Sequence, residues 1–413
     1  MRPAEPPEAP TAQQGTHRGS IAILFIGLVV VMLGFGMIIP IMPFYVESLG
    51  ASGRELGLLM ATFAVTQLVF SPLWGDLSDR IGRRPVLILG LVGNAVAQLL
   101  FGLSTQLWML FAARALSGIL SSATQPTALA YISDSTSEED RGRGMGLMGA
   151  AMGVGMVLGP GLGGWLASYS LPLPFFVASG LSTLVFLLAV AILPESLPEE
   201  RRSGRTGRLR SLDLRLMWES LRGPLGYPYF LSFLISFALA NFEGVFGLYA
   251  LERYGYGPDQ VGMVLTGVGL TSAVVQGLLT GPATRRWGDV RVIQGSLLAS
   301  AVGFLLMLAA TNLLSVLATT CLFVMGNAML RPGVAALISK RAGERQGAAM
   351  GMSNSFMSLG RVVGPVWAGS ALDWNLFLPY ASGALLMAVG FATTFPGLRG
   401  PERAEKAHVW QEQ

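Results

Sequence analysis

The chain has 413 residues, 52% of them hydrophobic and only 13% charged, with a formal net charge of +4. A soluble domain is about 25% charged, so this composition and a mean hydropathy of +0.55 predict an integral membrane protein. A single cysteine, Cys321, and two histidines near the termini, His17 and His408, exclude a disulfide framework, a cysteine or histidine metal site and a histidine relay inside a span.

Residues 1–20, MRPAEPPEAPTAQQGTHRGS, are polar and Pro-rich and predict a disordered tail. The apolar stretch that follows is too long and too late for a signal peptide. Apolar runs long enough to cross ~30 Å of hydrocarbon recur at 21–46, 57–76, 85–104, 107–132, 144–167, 171–193, 227–251, 260–281, 291–310, 313–338, 347–369 and 377–395. The linkers are short except for 194–226, which carries Arg201, Arg202, Arg205, Arg208, Arg210, Arg215 and Arg222. Within it, SLDLRLMWESLR offers Leu212, Leu216 and Trp218 to anchor a short interfacial helix. The expected organisation is a six-helix bundle over 21–193, a linker over 194–226, a second six-helix bundle over 227–396, and a tail from 397 to 413.

The basic residues test this topology. With the N-terminus inside, the inner tails and loops hold 23 of the 28 Lys and Arg, while the outer loops hold only Arg54 and Arg253. That asymmetry is the positive-inside pattern and predicts cytoplasmic termini in a plasma or inner membrane. The net positive charge is thus accounted for by topology, and nucleic acid is not an expected partner. The chain also repeats. Gly75 and Gly82 find Gly281 and Gly288 206 positions on; Pro126 finds Pro332 at the same offset. Gly159, Pro160 and Gly164 find Gly364, Pro365 and Gly369 205 positions on. Two halves of like orientation are a transporter trait, with the binding site between them near the midplane.

Gly75-Asp76-Leu77-Ser78-Asp79-Arg80-Ile81-Gly82-Arg83-Arg84 lies between the second and third spans. It resembles the signature loop of the major facilitator superfamily, G-x-L-a-D-R-x-G-R-[KR], at every fixed position. Gly82 suits a tight turn, and Asp79 offers a carboxylate to the arginines or to a helix N-terminus. The resemblance implies a cytoplasmic gate that latches the halves in the outward-open state. The second copy has Arg285 where Asp79 would fall, so it cannot latch the same way. In the fifth span, Gly155, Gly159, Pro160, Gly163 and Gly164 resemble the antiporter motif of the same superfamily, and imply a bent, closely packed hinge. Leu33-Gly34 with Pro40 and Pro43, and Pro194-Glu195-Ser196, match further family features. The set is similar to the twelve-span drug:proton antiporters. It implies an all-α membrane protein, two pseudo-symmetric six-helix bundles, no cofactor and no enzymatic step.

One short stretch, LFAARALSGIL at 110–120, puts Arg114 inside an apolar run, where insertion costs at least ~2.5–3.5 kcal/mol. Arg114-Ala-Leu-Ser-Gly118 resembles the antiporters' fourth-span motif, whose arginine assists proton coupling. A fixed positive charge lowers the pKa of a nearby carboxyl, so the embedded acids matter. Only Glu243 is well inside a span; Asp76, at an inner end, is the second candidate carrier. Glu243 and Arg114 are each about seven or eight residues from the outer end, ~10–12 Å deep. Their coupling is the expectation, with a structural ion pair or a Glu243 facing the outer vestibule as alternatives.

Asn241, Gln125, Asn327, Arg331 and Arg361 are the polar candidates for a substrate cavity, Arg331 being close enough to the inner end to snorkel. Three embedded arginines against one embedded glutamate make a neutral, zwitterionic or anionic amphiphile at least as fitting as a lipophilic cation. The reading is a monomeric, proton-coupled exporter of small hydrophobic or amphiphilic compounds such as drugs. A metabolite or lipid carrier on the same fold is the first alternative, and a non-transporting receptor a remote one.

Overall fold

A backbone in hydrocarbon must satisfy its own hydrogen bonds, so each apolar run becomes one helix. The computed structural model describes residues 12–202 and 214–397. Its N-terminal half has α1 (Ala12–Ser48), α2 (Gly53–Ile81), α3 (Arg83–Gly102), α4 (Leu107–Ser135), α5 (Glu138–Ala167) and α6 (Leu173–Ile192). The C-terminal half has α7 (Gly226–Tyr254), α8 (Pro258–Trp287), α9 (Asp289–Ala309), α10 (Leu313–Ala342), α11 (Gln346–Trp374) and α12 (Leu378–Gly397). A short helix, Leu214–Ser220, forms within the linker where an interfacial helix was expected. It buries Met217 and exposes Leu216 and Trp218.

Two features differ from expectation in detail. Helix α1 begins at Ala12, inside the segment expected to be a disordered tail. No proline follows Pro10 there, and alanine and glutamine prolong a helix that the apolar run has already nucleated. The rest of that tail, residues 203–213 of the linker and the tail from 398 lie outside the described residues. Second, α11 is less apolar than the other eleven helices, each of which is long and apolar enough to cross a membrane. At 29 residues it is long enough, but Ser353, Asn354, Ser355, Ser358 and Arg361 make it polar.

The breaks follow from proline. Pro126 brings no backbone donor to α4, which tightens into a 3-10 turn at Ser121–Ala123. Pro282 acts similarly on α8, where a π-turn spans Val275–Leu279 and Thr280 Oγ1 donates to the carbonyl of Val275 at 2.9 Å. The repeat seen in sequence is structural. Gly82 between α2 and α3, and Gly288 between α8 and α9, both hold positive φ, 107° and 77°.

Within each half, α1 packs on α5 and α7 on α11. Between halves, the main contacts are α2 with α11 and α5 with α8. These are backbone-to-backbone joints. A Cβ on Gly57 would stand 2.2 Å from the Pro365 carbonyl oxygen, and one on Gly369 2.0 Å from that of Gly53. In the pseudo-equivalent joint, a Cβ on Gly262 would stand 2.5 Å from the Pro160 carbonyl oxygen, and one on Gly164 2.3 Å from that of Pro258. Asp373 of α11 tightens the first joint by accepting hydrogen bonds from the Gly53 and Arg54 amides at 2.8 and 3.0 Å. Both joints lie at the end away from the basic loops. Toward the basic end the halves part. A Cβ added at Gly146, Gly149 or Gly153 of α5, or at Gly347 or Gly351 of α11, would meet nothing within 4 Å.

Gly57→Ala should therefore wedge the halves apart, because backbone on both sides cannot yield. With Cys321 replaced by serine, spin labels at the exposed Glu47 and Glu252, on opposite halves beside the joints, should report a longer distance in the alanine variant. An unchanged distance would mean that the joint does not hold the halves closed.

Candidate functional site

The space between the parted halves is lined on its C-terminal side by α7, α10 and α11. On α11, Gly347, Gly351, Asn354, Ser358 and Arg361 recur at helical spacing along one face, and all but the half-buried Ser358 are exposed. That polar face is what lowered the hydropathy of α11. Arg331 of α10 is also exposed, and Glu243 of α7 is half-buried. Arg361 lies within electrostatic reach of both Glu243 and Arg331. The opening thus holds two guanidiniums and one carboxyl on one wall.

Helix packing sets their depths. Gly360 and Gly364 of α11 lie against the backbone of Phe233–Asn241 in α7, with would-be Cβ contacts of 2.5 and 2.8 Å to the carbonyls of Phe233 and Phe237. Arg361 therefore sits one to two turns nearer the basic end than Glu243. Asn327 Nδ2 donates to the carbonyl of Ile235 at 3.2 Å. Arg331, one turn further along α10, lies nearer still to the opening.

Arg114 stands apart from this group. It is only 2% exposed, within the N-terminal half. Its Nη2 donates to Met60 Sδ at 3.3 Å, and its guanidinium carbon lies 4.8 Å from the Phe63 ring centre and 5.9 Å from that of Phe35. Cation–π contact stabilises such a group by about 2 kcal/mol when desolvated. Nε and Nη1 have no hydrogen-bond partner, and no acid pairs with Arg114 among the described residues. The expected meeting with Glu243 is absent in this conformation: similar depth did not bring the two together, because Arg114 points toward α1 and α2.

Two more candidates are corrected. Asn241 and Asn327 are 0% and 4% exposed. Asn241 Nδ2 donates to the carbonyl of Pro379 at 2.9 Å, so both asparagines tie helices together and neither lines the cavity. Gln125, half-buried, donates to Met152 Sδ at 3.2 Å. The glycines of α5 divide by face. Gly155, Gly159 and Gly163 lie against α1 in the same half, whereas Gly164 lies against α8 across the joint; Pro160 contributes the carbonyl that meets Gly262.

The signature loop folds onto its own half. Asp76 pairs with Arg80, and Asp79 with Arg83. Arg83 also reaches Asp134 of α4 at 2.9 Å and Ser78 at 2.8 Å; Arg84 Nη2 donates to the Val190 carbonyl at 2.7 Å. Glu195 accepts from the Arg83 and Arg84 amides at 2.8 and 3.2 Å, capping α3 where Gly82 turns the chain. A Cβ on Gly75 would meet nothing within 4 Å. Asp76 is therefore committed to the loop in this state. Sequence reasoning missed Asp134 and Asp373, which belong to no recognised motif, and gave Glu195 no physical role.

The family model described as Major Facilitator Superfamily matches residues 24–241 and 228–412. The chain is 33% identical to Multidrug resistance protein 2 of Bacillus subtilis (strain 168), over 90% of this chain and 93% of that protein. It is 29% identical to Quinolone resistance protein NorA of Staphylococcus aureus, again over 90% and 93%. Among solved structures, the nucleoside transporter NupG superposes with a TM-score of 0.71 at 15% identity, covering 92% of this chain and 98% of that one. A bacterial homologue of the human lysosomal transporter Spinster, inward-facing and unoccupied, gives 0.70 at 13%, covering 95% and 98%.

Two donor nitrogens of the buried guanidinium, Nε and Nη1, lack partners, and each unsatisfied nitrogen destabilises by about 1–3 kcal/mol. Arg114→Met, similar in length and set between Met60, Phe35 and Phe63, should raise the thermal unfolding midpoint of the purified protein by a few degrees. A lower midpoint would show that Arg114 has a stabilising partner.

Proposed function

The chain belongs to the Major Facilitator Superfamily, and we propose that it is a proton-coupled exporter of small hydrophobic or amphiphilic drugs, working by alternating access. Relatives that match nearly its whole length are named for multidrug and quinolone resistance. The observation that carries the coupling is Glu243, a carboxyl midway along α7, half-buried on the cavity wall within reach of Arg361.

The basic end is the cytoplasmic one by the positive-inside rule, so the chain faces inward here and both termini are cytoplasmic, in the plasma or inner membrane. Substrate enters from that side or from the inner leaflet while Glu243 is ionised. The glycine joints then separate as the halves rock, and the cavity opens outward. There Glu243 takes a proton, substrate leaves, and the protonated chain returns. Proton and substrate share one group, so each displaces the other and their flows are opposed.

Arg114 supports that cycle as a charge held ready. Its two unpartnered nitrogens, Nε and Nη1, give the outward-facing state a bond to gain, and Glu243, at similar depth in the other half, is the acid we assign to it. The loop from Gly75 to Arg84 serves as a gate on the cytoplasmic side. Inward-facing, its ion pairs close on the N-terminal half; outward-facing, the exposed Asp79 carboxylate and Gly75 face the C-terminal half. Gly155, Gly159 and Gly163 keep α5 fixed to α1, and Gly164 with Pro160 forms the moving contact. The unit of function is the monomer, because both halves of the site are on one chain, and the work is transport without a catalytic step.

In proteoliposomes with an imposed gradient of about one pH unit, a one-for-one exchanger supports roughly tenfold accumulation of a dye. Wild type should reach accumulation of that order. Glu243→Gln should let dye equilibrate without concentrating it. Accumulation by the glutamine variant would move the proton to another group; indifference of the wild type to the gradient would end the exchange reading.

A further inference from the structure

The two joints between the halves repeat each other in backbone, but one carries a side-chain contact that the other lacks. At the end of α11, both oxygens of the Asp373 carboxylate accept from the start of α2. Oδ1 takes the Gly53 amide at 2.8 Å and Oδ2 the Arg54 amide at 3.0 Å. These are the first two amides of α2, for which a helix has no partner of its own. The third, that of Glu55, bonds Ser52 Oγ at 3.3 Å, while the Glu55 carboxylate accepts from the Ser52 amide at 2.8 Å. Helix α2 therefore caps its third amide with its own serine and its first two with an acid from the other half.

The pseudo-equivalent joint has neither partner. The residue 205 positions before Asp373 is Ser168, whose hydroxyl donates within its own turn to the Trp165 carbonyl at 2.7 Å. The residue 205 positions after Gly53 is Pro258, the first of α8, which brings no N–H. Acceptor and donor are both replaced, so the contact belongs to one joint alone. Gly53 also makes room for it. A Cβ there would stand 2.7 Å from Asp373 Oδ1 and 2.9 Å from the Gly369 carbonyl oxygen.

We propose that Asp373 is a positioning residue for transport, a clasp that holds the α2–α11 joint closed and so biases the chain toward the inward-facing state. The proposal rests on the alternating-access reading and names a residue that sets its balance. The two bonds are charge-assisted and end on a helix N-terminus, where a carboxylate is favoured. They exist only while the joint is closed. When the halves rock apart at this end, the carboxylate and both amides pass to water. The clasp thus stabilises one state relative to the other, and it acts through the joint, at a distance from the carboxyl that exchanges protons.

The test uses purified full-length protein with Cys321 replaced by serine and spin labels at the exposed Glu47 and Glu252, on opposite halves. The readout is the ratio of long to short distances between them. Wild type should be mostly short. Asp373→Asn keeps one oxygen acceptor and loses the charge, and should raise the ratio several-fold. Asp373→Leu loses both acceptors and should raise it about tenfold, the order of one charge-assisted contact. Arg54→Gln should match wild type, because the clasp is made to the Arg54 amide and not to its guanidinium. A second pair of labels, at Glu47 and the exposed Tyr169 within the N-terminal half, should be unchanged throughout, which separates release of the joint from loss of structure. If neither Asp373 variant shifts the first pair, or if Arg54→Gln shifts it as much, the clasp is overturned. Uphill dye accumulation by wild type with no shift in either Asp373 variant would defeat the clasp and leave the export reading intact. The graded shift with no uphill movement of dye would do the opposite.

Discussion

The architecture depends on a contact that only glycine allows, in which a proline-bearing helix lays its carbonyl on the backbone of a helix from the other half. It occurs twice, at Pro365 over Gly57 and at Pro160 over Gly262, and residues 57 and 262 are separated by the same 205 positions as the two prolines. Both contacts lie toward one end. The halves are therefore clamped at the end away from the basic loops and free to splay at the other, and the cavity is the space that results. Small residues serve well here because lipid supplies no hydrophobic drive for helices to associate; van der Waals fit must do it. A joint made mostly of backbone, with the short Asp373 side chain its one polar clasp in the first copy, also has no long side chains to disentangle when it separates.

The charges are divided between the halves by the same geometry. Arg114 is sealed among Phe35, Phe63 and Met60 on the N-terminal side, and Glu243, Arg361 and Arg331 line the C-terminal side. A buried guanidinium with two idle donors is a local excess of free energy that packing elsewhere sustains. Such strain is consistent with a chain that must occupy two conformations of similar energy, since a residue fully satisfied in one state would resist leaving it.

Composition and periodicity made the helices legible, and common offsets made the two halves legible, down to Gly82 and Gly288 turning the chain in the same way. Close approach was legible too, because a glycine at a fixed spacing announces it. What the sequence could not convey was direction around a helix once both neighbours were apolar. Arg114 and Glu243 matched in depth, yet depth leaves the azimuth free, and Arg114 faces its own half. Asn241 and Asn327 were polar positions on cavity helices, but each turns away to bond a neighbouring backbone carbonyl. Asp134 and Asp373 escaped notice because their partners are 51 and 320 residues distant. The start of α1 was misjudged for a different reason: a polar stretch beside a strong helix can be drawn into it.

The polarity of α11 bears on how the protein is made. A segment less apolar than the chain's other spans gains less by leaving the insertion machinery for lipid alone. It is held once α7 receives its glycine face and α2 its end away from the basic loops. Biogenesis of the second half is therefore constrained in order. Helix α7 is already in place to receive α11, and the apolar α12 that follows packs against it. The residues that make the cavity wall polar thus make the final steps of insertion cooperative.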